Sequence, residues 1–300
     1  MNEMNITDFV GNTPLVKLKK ENNHYADIFV KIEYFNAGAS IKARVAKQMV
    51  EDAIKSGSLK TGMTVIEPTG GNTGIGLAIM SIIYGFNFVA VVPDNYSKDR
   101  IDLLRRYNAE VVLSDSSIGN DSHILKAREL RQKNPAWICL DQFKNPSCIE
   151  AHYYGTAQEI IDKVIPDAFV ASVGSGGTFT GISKRLKQEN NALCCYVVQP
   201  TGCDILKGTA EPHKIQGVSL GIKPPLLDYS LIDGTIDVEF EDVRNELLSL
   251  MKKEALFLGI SSGANILAAK RIAREIGKGK IVCTVAPDGG QYYTKEVYNI

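Results

Sequence analysis

Lys42 stands where a helix should begin. In the stretch SIKARVAKQMV, Ile41, Val45, Ala46, Met49 and Val50 recur at helical spacing and continue through Ala53 and Ile54. Ser40 precedes them as an N-cap. Lys42 therefore falls in the first turn, where the helix macrodipole is positive and disfavours a cation by about 0.3–1 kcal/mol. An amine in that position either points into water or is kept there because it loses its proton more easily and so becomes a nucleophile. The segment alone leaves both readings open.

Two glycine loops add anion chemistry. FVASVGSGGTFTGISKRL runs strand, loop, helix, with the loop at Gly174, Ser175, Gly176, Gly177 and Thr178. Free N–H groups at such a helix start cradle an anion, usually a phosphate. Counted from Gly176, a P-loop lysine would stand at position 182, which is Ile182, and a dinucleotide fingerprint would need glycine where Phe179 stands. The loop suits a phosphate held by backbone and hydroxyls without magnesium, or it is a tight structural turn. VIEPTGGNTGIGLA repeats the arrangement at Thr69, Gly70, Gly71, Asn72 and Thr73, with side-chain donors that suit a carboxylate. Gly74 and Gly76 either belong to that site or allow close helix–sheet packing. A phosphate, an amino-acid carboxylate and a nucleophilic lysine are together what a pyridoxal-phosphate site requires.

These residues sit on an alternating frame. Strand-like runs DIFVKIE, MTVIEP, NFVAVVP, AEVVLSD, AFVASVG, LCCYVVQP and KIVCTVAPD alternate with helical segments, which predicts an α/β protein with parallel sheets covered on both faces. The 300 residues suffice for one large or two medium domains, and FKNPSC near 143–148 is the best crossover between two α/β units. Hydrophobic residues at 44%, charged residues at 23% and a formal net charge of zero are ordinary globular values. They offer no basic surface for nucleic acid or an anionic membrane, so the expected partners are small molecules. The N-terminus lacks the pattern of a secretory signal, and no apolar run reaches the length of a membrane span. The six cysteines show no zinc spacing and read as buried reduced thiols, which fits the cytoplasm; no metal site is expected.

With NTPLVKL, SIKAR, EPTGGNTGIGLA, DQFKNP, VGSGGTFTG, PHKIQG, GISSGA and PDGGQYY in this order over nearly the whole chain, the sequence resembles the cysteine synthase (O-acetylserine sulfhydrylase) family. That family lies within the fold type II pyridoxal-phosphate enzymes, which include cystathionine β-synthase. The resemblance implies two doubly wound α/β domains of the tryptophan synthase β type with pyridoxal 5'-phosphate in the cleft between them. The smaller, mobile domain would be 38–146 and the larger 1–37 plus 147–300. It implies that Lys42 bonds the cofactor covalently and shuttles the α-proton. Asn72 would bond the cofactor's phenolic oxygen, Gly174 to Thr178 its phosphate, and Ser262 would lie in a segment closing around it. Thr69, Gly70, Gly71, Asn72, Thr73 and Gln142 would surround the substrate carboxylate. The implied reaction is β-replacement through an aminoacrylate, joining an activated serine to sulfide or a thiol, in a homodimer.

Four positions in three segments depart from the family pattern. Gly70 stands where Ser or Asn is common, and Ser219 with Leu220 replaces Gly-Ala in the segment IQGVSLG. Gly289 stands where many relatives carry a serine that bonds the pyridine nitrogen, so water, Asp288 or another residue must serve. Ser219 either positions a nucleophile or a polar β-substituent, or is a loop serine facing solvent. These changes keep a second activity in view, in which cysteine is consumed and hydrogen sulfide released with serine, lanthionine or cystathionine formed. Diaminopropionate synthesis and a non-catalytic homologue that binds partner proteins are the further alternatives.

Overall fold

The strands of the computed structural model are β1 (Leu15–Lys17), β2 (Asp27–Ile32), β3 (Thr64–Pro68), β4 (Asn87–Pro93), β5 (Glu110–Ser114), β6 (Ala168–Ser172), β7 (Cys194–Pro200), β8 (Gly234–Val238) and β9 (Ile281–Ala286). The structure describes residues 4–19, 22–119 and 121–299. The helices are α1 (Lys42–Lys55), α2 (Asn72–Tyr84), α3 (Lys98–Arg106), α4 (Ser122–Lys133), α5 (Ser147–Glu150), α6 (Ala157–Ile161), α7 (Gly177–Glu189), α8 (Phe240–Glu254) and α9 (Ile260–Ile276). A π-helical stretch, Ala151–Thr156, joins α5 to α6. All seven apolar runs expected to be strands are strands. β1 and β8 lack such a run: β1 is three residues long, and β8 mixes half-buried and exposed positions before its buried Val238.

The chain divides into two units, Met1–Val10 with Asn36–Ser147, and Gly11–Phe35 with Cys148–Ile300. The N-terminal residues that group with the first unit are tied to it by side chains, Lys47 Nζ donating to the Thr7 carbonyl at 3.0 Å.

In the first unit β3, β4 and β5 form a parallel sheet in that order. Ile66, Val89 and Val91 point to one face and pack on Ala127 of α4, with Val112, Leu130 and Trp137 around them. α1 is amphipathic and buries Val45, Ala46, Met49 and Val50, while α2 is buried continuously from Thr73 to Ser81. An apolar helix of that kind can only sit between other layers.

In the second unit six strands run in the order β1-β2-β9-β6-β7-β8. β1 pairs antiparallel with β2, so this sheet is mixed rather than wholly parallel; the other pairs are parallel. Successive side chains point to opposite faces of a strand. Val30, Ile32, Val170 and Val282 therefore share a core with Val243 and Leu247 of α8 and Ile266 and Ile272 of α9. Phe169, Ala171, Val197 and Cys283 turn the other way, onto Phe179, Ile182 and Leu186 of α7. The continuous apolar runs of the sequence follow from this burial on both faces. All six cysteines are free thiols, with Cys148, Cys195, Cys203 and Cys283 buried.

Candidate active site

Lys42 is the first residue of α1 and half-buried. The Ser40 hydroxyl accepts the Lys42 N–H at 3.3 Å and the Ser40 carbonyl accepts the Ala43 N–H at 3.2 Å. Ser40 thus satisfies donors of the first turn, as its N-cap chemistry predicts, although Ile41 already has helical angles. Gly76 serves the packing of helix on helix rather than of helix on sheet. A Cβ there would lie 2.9 Å from Ala46 Cβ and 3.3 Å from the Lys42 carbonyl oxygen. Its missing side chain lets α2 settle against the first turn of α1, which brings Lys42 to the helix that the Thr69–Thr73 loop opens.

That loop ends at Gly71, the N-cap of α2, so Asn72 and Thr73 occupy the first turn with their N–H groups unclaimed by the helix ladder. Thr73 Oγ1 donates to Gln142 Oε1 at 2.6 Å, which fixes the amide end for end and makes its N–H₂ the donor edge. Arg100 Nη1 does the same for Asn72, donating to Oδ1 at 3.3 Å. Gln142 is held through its backbone by Glu67 of β3. Glu67 Oε1 accepts the Gln142 N–H at 3.0 Å, while Oε2 accepts the Asp141 N–H at 3.0 Å and the Cys139 thiol at 3.3 Å. Asp141 sits at φ +54°, a left-handed conformation uncommon for a non-glycine residue. Glu67 is 1% exposed, and burial pushes its pKa upward while the three donors pull against that shift. Glu67 and Arg100 are absent from the residues that motif reading singles out. The signal for Glu67 was a carboxylate inside an otherwise apolar parallel strand.

In the second unit the Gly174–Thr178 loop links β6 to α7. Gly176 is the N-cap at φ +94°, a value glycine alone adopts at no cost. A side chain at Gly174 would run into the Gly217 carbonyl. The loop is thus fixed by close backbone packing and still offers the N-terminal N–H groups of a thirteen-residue helix. Ser175 and Thr178 are half-buried beside them. The Thr178 hydroxyl is hydrogen-bonded at 3.1 Å to Nε2 of His152, and His152 Nδ1 is 2.9 Å from Thr156 Oγ1. His152 is fully buried on the π-helical stretch and also escapes motif reading. Backbone N–H groups and two hydroxyls, with no carboxylate in the loop, form a donor set that fits a phosphate.

The departing positions Ser219, Leu220 and Gly289 lie in the same unit, and Gly70 in the first. Ser219 is 4% exposed and left-handed at φ +47°, so it is not a loop serine facing solvent. Its N–H donates to the Val173 carbonyl at 2.9 Å, next to Gly174. Leu220 is exposed. At Gly289 a Cβ would meet the side-chain amide oxygen of Gln291, the far end of an exposed side chain that can swing aside. Ser262, fully buried in the first turn of α9, donates its hydroxyl to the Asp288 carbonyl at 3.1 Å and ties α9 to the 288–290 segment. The Asp288 carboxylate accepts from Tyr293 Oη at 2.9 Å.

Comparison with known proteins places these features in context. The profile of the pyridoxal-phosphate dependent enzyme family matches residues 6–288. A cysteine synthase of Staphylococcus aureus (strain N315) is 40% identical over 295 residues, 96% of this chain and 94% of its own. The crystal structure of a cysteine synthase from Entamoeba histolytica superposes with a TM-score of 0.94 at 32% identity, covering 100% of this chain and 92% of that one. A hydrogen sulfide-producing enzyme from Fusobacterium nucleatum gives a TM-score of 0.91 at 36% identity, covering 96% and 97%.

Proposed function

We propose, from the premise that this chain belongs to the family of pyridoxal-phosphate dependent enzymes, that it carries out β-replacement and makes cysteine from O-acetylserine, or a close activated serine, and sulfide. The bond from the β-carbon to the acetate oxygen breaks, hydrosulfide forms the new carbon–sulfur bond, and acetate leaves. The cofactor supplies an electron sink that no side chain offers.

The observation that carries this reading is the meeting of a lysine and an anion loop inside one unit. Lys42 opens α1 against Gly76 of α2, and the loop Thr69–Thr73 opens α2 itself. In this reading Lys42 holds the cofactor, and its Nζ takes the substrate's α-proton and later returns one. Asn72, oriented by Arg100, presents its N–H₂ to the cofactor's ring oxygen. Gly174, Ser175, Gly176, Gly177 and Thr178 hold the phosphate, with Ser262 on the cofactor side. Thr69, Gly70, Gly71, Asn72, Thr73 and Gln142 hold the carboxylate, Gln142 donating through the amide edge that Thr73 selects.

The test is an assay of O-acetylserine with sulfide beside cysteine alone. Cysteine formation as the faster reaction is expected; rapid sulfide release with negligible sulfide incorporation overturns the reading. The Lys42→Ala variant should lose activity and the visible absorption of the bound cofactor, and retention of both would remove Lys42 from its role.

A second reading, release of hydrogen sulfide from cysteine, is favoured by Ser219. A serine held left-handed and buried beside the phosphate loop persists where its hydroxyl serves a purpose. The hydrogen sulfide-producing relative points the same way. We further assign a homodimer, supported by Ile6, Phe9 and Ile82, apolar side chains of the first unit that are about half exposed. The six free thiols support a reducing, cytoplasmic location.

A further inference from the structure

Gly70 and Gly71 leave a gap in the substrate loop that another side chain fills. A Cβ on Gly70 would stand 2.5 Å from Val92 Cγ1 and 3.0 and 3.1 Å from Cδ1 and Cε1 of Tyr96. A Cβ on Gly71 would stand 3.2 Å from the Tyr96 hydroxyl oxygen. The Tyr96 ring thus runs along the Gly70–Gly71 step, with its phenol group at the end where α2 begins. One turn on, Arg100 is buried and bonds Asn72, so both residues on this side of the loop face it. Tyr96 is half-buried, and its hydroxyl has no hydrogen-bond partner among the described residues. A phenol that shields one side of a loop of backbone donors, and has no acceptor of its own, lacks only an anion.

We propose that Tyr96 is a substrate-binding residue whose hydroxyl donates to the carboxylate of the bound amino acid, replacing the polar side chain that Gly70 cannot carry. The proposal rests on the reading of Thr69–Thr73 as the carboxylate loop. A side chain at position 70 would run into Val92 and the ring together, so glycine there leaves the ring its place. A phenol O–H to a carboxylate is a charge-assisted bond, short and stronger than a neutral one. Its loss should weaken binding by about tenfold.

The experiment uses the cofactor-loaded enzyme and reads amino-acid binding from the change in visible absorption. Tyr96→Phe should raise the Kd of L-serine about tenfold. It should change the Kd of L-serinamide, which lacks the carboxylate, less than twofold, with the absorption of the unliganded enzyme unaltered. A Tyr96→Phe variant that binds L-serine as the wild type does, or that loses both ligands equally, overturns the proposal. Thr73→Ala is measured in parallel. If it weakens L-serine binding while Tyr96→Phe does not, only the assignment of Tyr96 fails; if neither variant does, the carboxylate loop itself is misread.

Discussion

Glu67→Gln tests whether a buried carboxylate positions the substrate-side glutamine. Glu67 accepts the backbone N–H groups of Asp141 and Gln142, one on each oxygen, both at 3.0 Å. An amide keeps one acceptor and turns its N–H₂ toward the other N–H, so an acceptor becomes a donor facing a donor. A buried N–H left without an acceptor costs about 1–3 kcal/mol, and with a second donor pressed against it the loss is about 2–3 kcal/mol. Trp137 is the single tryptophan and packs on the core of the unit that contains Glu67, so its fluorescence reports this unit's unfolding. With a slope of about 2 kcal/mol/M, the urea midpoint should fall by roughly 1–1.5 M. The sign of the pH dependence follows from the raised pKa. A folded-state pKa above the unfolded value of about 4.3 gives stability that is fully present below the latter and lost as pH rises through the folded value. The gap between wild type and variant should therefore be widest on the acid side and narrow as pH increases. Displacement of Gln142 should also raise the KM for the amino-acid donor more than it lowers kcat. An unchanged midpoint together with an unchanged KM would refute the positioning role.

Two further outcomes follow from particular contacts. Gly174→Ala places a methyl group into the Gly217 carbonyl, and the loop must shift; overpacking of this kind costs about 1–3 kcal/mol. Dialysis followed by absorbance should show faster loss of cofactor than from the wild type, and equal retention would mean that the loop does not hold the phosphate. Tyr84 has its pKa pushed up to about 12 by burial and by Glu51, whose carboxylate accepts its hydroxyl at 2.7 Å. Its contribution to stability is present below the unfolded value of about 10 and lost as pH rises through the folded one. Glu51→Gln should bring this titration down in an ultraviolet absorbance scan, and a titration left in place would show burial to be the whole cause.

The alternation of apolar runs and helical segments specified the frame because strands buried on both faces must read as unbroken apolar segments. Lys42 and the two glycine loops were legible for a related reason, whereas Gln142 entered only through the family resemblance. A turn that needs glycine, followed at once by a helix, writes its anion chemistry into consecutive residues. The antiparallel edge strand β1 was not legible, because three residues carry no period. Neither was the support of the site. Glu67 reaches Gln142 across 75 positions, and His152 meets Thr178 across 26. Such pairs exist only once the chain has folded back on itself. The same holds for the departures from the family pattern. Gly70 looks like a loss along the chain, yet Val92 and Tyr96 occupy the space its side chain would need. A sequence names the residue at a position. What stands beside that residue, and therefore whether a glycine is a gap or a fitted space, is set by packing between segments that are not neighbours along the chain.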